Sequence, residues 1–154
     1  KLVVPFEVME ASAHETFWTH SSFAFVGHSA TKGFPRISYG EAKKHGKKVF
    51  AVDPSVDQID GDKTYADLRA LPEKVAGVVI EVPREETLDV VRQAADAGIR
   101  NVWVHMNRDT PEVVALAKEK GLNLLTGTCA VMYIAQGVSA HTIHKWVNKL
   151  LGKY

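Results

Sequence analysis

The segment FAFVGHSATKGFPRISYG, residues 23–40, decides the architecture. Its first four residues are an apolar run of strand length, Gly27 permits a tight turn, and helix character begins near Ser38. Ser38-Tyr39-Gly40-Glu41 has the pattern of a capping box, and Gly46 supplies a stop. A strand, a glycine turn and a helix together form the setting in which a phosphate meets free backbone N–H groups. The turn lacks the three-glycine spacing of an ordinary dinucleotide loop, and it has no Walker pattern.

The same alternation continues along the chain. KVFAV (48–52), GVVIEV (77–82), NVWVH (101–105) and NLLT (123–126) are short apolar runs without polar alternation, as strands buried on both faces require. Leu88, Val91, Ala95 and Ile99 step along one helix face that Gly98 closes. Thr110-Pro111 opens another helix and Gly121 ends it, and a shorter helical turn fits Tyr65 to Leu71, ahead of Pro72. The expected fold is a three-layer, Rossmann-like α/β domain with a parallel sheet of about five strands and flanking helices. One domain covers residues 1–154. An N-terminal helix over about 6–18 carries Phe6, Met9, Ala13 and Phe17 on one face. The core covers about 22–133, and a closing helix over about 136–150 carries Ile143, Trp146, Val147 and Leu150.

Bulk properties exclude several classes. The 154 residues are 45% hydrophobic and 24% charged with a net charge of +1, so no global field recruits nucleic acid or a membrane surface. No apolar run approaches the roughly 20 residues of a membrane helix. Glu7 follows a very short apolar run, which does not fit a secretion signal. The single cysteine, Cys129, rules out an intrachain disulfide and fits a reducing cytoplasm, which is the expected location.

An open parallel sheet binds ligands beyond the carboxyl ends of its strands. The loop after the first strand offers Gly27, His28, Ser29, Lys32 and Arg36, with hydroxyl and cationic groups suited to phosphate, and then Ser38 at the helix start. Asp53-Pro54 follows the second strand, where an acidic residue can take ribose hydroxyls or simply initiate a turn. Val82-Pro83 follows the third and lines an adenine slot or starts a helix. His105-Met106-Asn107-Arg108 forms a polar, flexible lip after the fourth. Cys129 follows the fifth. His141 and His144 lack a third metal ligand, and Asp57, Asp60 and Asp62 lack calcium-loop spacing, so they read as surface histidines and a solvated turn. Glu85 and Glu86 offset a helix dipole, and no serine or cysteine has an obvious partnered base.

Taken together, Val26-Gly27-x-Ser29, Ser38-Tyr39, Val52-Asp53-Pro54, Ile59-Asp60-Gly61, Val82-Pro83, Ala97-Gly98-Ile99, Val102-Trp103-Val104 and Cys129-x-x-Met132-Tyr133 carry a resemblance over about 22–133. The sequence resembles the small single-domain CoA-binding proteins, whose fold matches the CoA-binding domain of succinyl-CoA synthetase α-subunits. The resemblance implies coenzyme A as cofactor, with Gly27, Ser29, Lys32 and Arg36 facing the pyrophosphate or pantetheine arm. Asp53-Pro54 and Val82-Pro83 would flank the adenosine, with Met106 and Cys129 near the pocket. It also implies binding of CoA or an acyl-CoA without autonomous catalysis, since the synthetases carry their phosphorylated histidine in a second domain. The family usually has Asn-Pro where this sequence has Asp53-Pro54. A carboxylate there suits the bare ribose of NAD, so an NAD(H)-binding oxidoreductase or redox sensor stands as the alternative. The expected partner is a small-molecule nucleotide, with no nucleic acid and no membrane. A homodimer or a partner protein is left open.

Overall fold

The computed structural model describes residues 16–30, 35–105 and 107–126. The expected closing helix, all but the last residues of the expected N-terminal helix, and Lys32, Met106 and Cys129 lie outside these residues. Within them the order is β1 (Ser22–Val26), α1 (Arg36–Lys44), β2 (Lys48–Val52), β3 (Gln58–Ile59), β4 (Asp62–Tyr65), a 3-10 turn (Leu68–Ala70), β5 (Gly77–Ile80), α2 (Arg84–Asp96), β6 (Asn101–Val104), α3 (Pro111–Lys120) and β7 (Asn123–Leu125). The strands form one seven-stranded sheet in the order β3-β4-β2-β1-β5-β6-β7. Every pairing is parallel except β3 with β4. The sheet is therefore larger than the sequence predicts, by the hairpin of β3 and β4. That hairpin turns at Asp60-Gly61, where both φ angles are positive, at 52° and 80°.

Side chains alternate between two cores, as the two-residue period of a strand demands. On one face Ala24, Val26, Val52, Val78, Ile80, Val102 and Val104 pack with Val90, Val91 and Ala94 of α2 and Val113 of α3. On the other, Phe23, Phe25, Ala51, Val79 and Trp103 pack with Phe17, Trp18 and, from α1, Tyr39 and Ala42. The second core is dense in aromatic rings; Phe17 stands edge-on to Trp18 and to Trp103 with centroids 5.0 and 5.4 Å apart, a geometry worth about 0.5–1.5 kcal/mol per pair beyond area burial. Gly77 makes room for it, because a Cβ there would stand 2.9 Å from Phe17 Cζ and 3.0 Å from Phe23 Cδ1.

Helix ends follow the sequence signals with one exception. Thr110 caps α3 by accepting from the Val113 N–H at 3.2 Å, and Gly121 closes it in the left-handed region. The expected capping box at Ser38 does not form. The helix α1 starts earlier, at Arg36, with Pro35 before it and no side-chain cap. The Ser38 hydroxyl is engaged elsewhere, at the end of β5.

Candidate functional site

Chain direction across the sheet reverses at β1, which has β2 on one side and β5 on the other. A crevice at such a reversal, beyond the carboxyl ends, is the standard ligand position in this fold class. Four residues lie side by side along that edge, each just past its strand. Gly27 donates its N–H to Val52 O at 3.1 Å, Asp53 to Tyr65 O at 2.9 Å, Glu81 to Val26 O at 2.7 Å and His105 to Ile80 O at 2.9 Å. The sheet ladder thus continues one residue beyond the strands and fixes the backbone from which the site is built.

A cleft of about 290 Å³ opens on the α2 face of this edge, lined by Val26, Val52, Pro54 and Val82 from the strand ends. His28, Ala66 and Asp67 line it too, and α2 contributes Glu85, Glu86, Asp89, Val90 and Gln93. Its apolar floor comes from strand residues that face the α2 core, and its polar rim from the first two turns of the helix. The volume lies just under the roughly 300–1,000 Å³ of whole-ligand sites. His28 Nε2 meets Glu86 Oε1 at 2.8 Å across it, joining the β1–α1 loop to α2.

Asp53 does not face the cleft. It is fully buried, and its carboxylate accepts from the Ser29 N–H at 2.8 Å, the Ser55 N–H at 2.9 Å and the Ser55 hydroxyl at 2.5 Å. Burial pushes its carboxyl up, but the hydrogen bonds from Ser29 and Ser55 outweigh burial and hold it below the usual carboxylate value. Asp53 therefore acts as a pin between two loops, with both oxygens occupied.

On the opposite face of the same edge lies a buried polar group that the sequence pattern does not single out. The Ser38 hydroxyl donates to Glu81 Oε2 at 2.7 Å, and His105 Nδ1 stands 3.7 Å from that oxygen. Burial pushes the Glu81 carboxyl up to about 8, against the pull of the Ser38 hydrogen bond and the Arg108 charge. Burial, and then the same Arg108 charge, press the His105 imidazole down to about 4. Both groups are thus neutral near pH 7. His105 is 1% exposed, so it belongs to the interior and not to a flexible lip. The signal in the sequence is a glutamate inside the otherwise apolar run GVVIEV.

Of the expected site residues, His28, Pro54 and Val82 meet in the cleft. Gly27 and Asp53 extend the sheet ladder past their strands, the Ser29 N–H donates to Asp53, and Pro83 precedes α2 as its N-cap residue. Ser38 faces Glu81, and Arg36 lines a separate groove along α1 with Ile37, Gly40, Glu41, Lys43, Lys44 and Asp60. Lys32, Met106 and Cys129 fall outside the described residues. Among the described residues no helix is long and apolar enough to cross a membrane, and no three metal-ligating side chains converge.

Comparison with known proteins agrees with this architecture. A family model described as a CoA binding domain matches residues 21–135. A trans-feruloyl-CoA synthase from an unknown prokaryotic organism is 29% identical over 91 residues, which span 53% of this chain and only 13% of that protein. A hypothetical protein from Pyrococcus horikoshii OT3 has the same fold with a TM-score of 0.71 over 99% of both chains, at 23% identity. A conserved hypothetical protein from Pyrococcus furiosus matches with a TM-score of 0.64 and 26% identity, over 71% of this chain and 96% of that one.

Proposed function

The chain belongs to the CoA binding domain family, and from that premise we propose that its carboxyl-edge cleft binds coenzyme A or an acyl-CoA. The observation that carries this reading is the position of the cleft beside the β1 reversal, where the ends of β1, β2 and β5 meet the start of α2. In this reading the adenosine lies on Val26, Val52, Pro54 and Val82, between His28 and the first turns of α2. Pro83 fixes the entry of that helix. The pyrophosphate lies over Gly27 and Ser29, toward Lys32, Arg36 and the first turn of α1. For the pantetheine arm the resemblance offers Cys129, and Met106 is the further candidate.

The role is binding, with no chemistry assigned to the chain's own side chains. The state of Asp53 removes the sequence feature that favoured NAD(H). A ribose diol would have to displace the Ser29 and Ser55 donors, each of which holds a loop in place. Isothermal titration with CoA and acetyl-CoA tests the proposal. Saturable binding of either supports it, and no heat at about millimolar ligand, a binding free energy of about −4 kcal/mol, overturns it.

A further inference from the structure

The cleft also carries a selectivity that deepens the reading just given and rests on it. Asp67, Glu85, Glu86 and Asp89 all line it. Three of them are fixed in place. Asp67 Oδ1 accepts from the Ala70 N–H at 3.0 Å, Asp89 Oδ2 from Gln93 Nε2 at 2.9 Å, and Glu86 Oε1 faces His28 Nε2 at 2.8 Å. Glu85 and Glu86 fill the first turn of α2, where free N–H groups and the helix dipole would otherwise attract a ligand's phosphate. Two arginines of α2 and α1, Arg84 and Arg36, do not line it. Arg84 Nε donates to Asp109 O at 3.1 Å, and Arg36 lines the groove along α1.

A phosphomonoester brings about −1.5 to −2 charges at neutral pH and, when fully ionised, offers only acceptors. Ribose hydroxyls and the adenine amino group offer donors, which is what a ring of carboxylates can use. We propose that this cleft takes an adenosine whose ribose hydroxyls are both free and selects against one bearing a 3′-phosphate. Within the CoA class the preferred form is dephospho-CoA.

Titration of the wild-type protein at low ionic strength with dephospho-CoA, CoA and NADH tests this. The expected result is tighter binding of dephospho-CoA than of CoA, by on the order of tenfold. That gap narrows in about 0.5 M salt, because the repulsion is screened. Replacing two rim carboxylates, Glu85→Gln with Asp89→Asn, raises CoA affinity relative to dephospho-CoA, while an unchanged circular dichroism spectrum shows that the fold persists. Equal or tighter binding of CoA by the wild type overturns the inference and leaves the CoA reading standing. Binding of NADH without any CoA-class ligand supports the free-ribose selectivity and overturns the CoA reading. Binding of none of the three overturns both.

Discussion

Ser38, in the first turn of α1, and Glu81, one residue past β5, are joined by a buried hydrogen bond of 2.7 Å that ties helix to sheet at the carboxyl edge. Removing the hydroxyl leaves Glu81 Oε2 without its donor in a site closed to water. Ser38→Ala is expected to cost about 1–3 kcal/mol, read as a lowered midpoint in urea. In a Glu81→Leu background the same substitution costs measurably less, because the acceptor is already gone. Equal costs in the two backgrounds would refute the coupling.

The pair Glu81 and His105 sets a pH profile. Glu81 ionises at an ordinary value of 4.5 in the unfolded chain and at about 8 in the folded one. Its folded-state pKa is raised, so its contribution to stability is full below pH 4.5 and is lost as pH rises through about 8. His105 is the reverse, with an ordinary value of 6.5 and a folded value of about 4. Its contribution is full above pH 6.5 and is lost as pH falls through about 4. Between 4.5 and 6.5 the two slopes oppose each other, so stability is greatest there and declines toward 8. Thermal unfolding across this range should show the decline, and Glu81→Gln should flatten it. An alkaline limb that survives the substitution assigns the effect to other groups.

Asp53 offers a test of what its carboxylate touches. Asp53→Asn turns one acceptor into an NH2 that faces a donor, which is expected to cost about 1–3 kcal/mol and to loosen the loops at Ser29 and Ser55. CoA and NADH affinity should then fall together. A variant that loses NADH binding while gaining CoA binding would mean that the carboxylate touches the ribose directly.

Gly77→Ala probes the aromatic core. The added methyl would meet the rings of Phe17 and Phe23 at 2.9–3.0 Å inside a packed interior, and the expected loss is about 1–3 kcal/mol. The ligand cleft lies on the other face, so the CoA dissociation constant should stay within about twofold while the midpoint drops. An unchanged midpoint would show that the Phe17 ring can move aside freely.

What the sequence made legible follows from which forces dominate each segment. GVVIEV is apolar because both faces of β5 are covered, and KVFAV because β2 ends in the buried Ala51 and Val52; both form strands as their composition requires. Asp62–Tyr65 carries a polar DKTY pattern because it pairs near the sheet edge, so the apolar criterion passed it over and the segment reads as a turn. Asp60-Gly61 was the available signal, since that dipeptide favours the positive φ angles of a tight hairpin. Ser38 fits a capping motif by spacing alone, yet the helix begins two residues earlier and a buried partner from β5 claims the hydroxyl. Local pattern could not reveal this, because Glu81 lies 43 positions away in the chain. The strand-end placement of His28, Pro54 and Val82 was legible because topology alone brings strand ends together.

The row of amide hydrogen bonds at Gly27, Asp53, Glu81 and His105 has a kinetic consequence. These four N–H groups are already shielded by carbonyls of the neighbouring strands, so their exchange with deuterium depends on breaking the sheet and not on the presence of a ligand. The edge is a rigid sill laid down during folding. Protection gained on ligand addition is therefore expected in the loops and in the start of α2, while those four amides exchange at the same slow rate with the cleft full or empty.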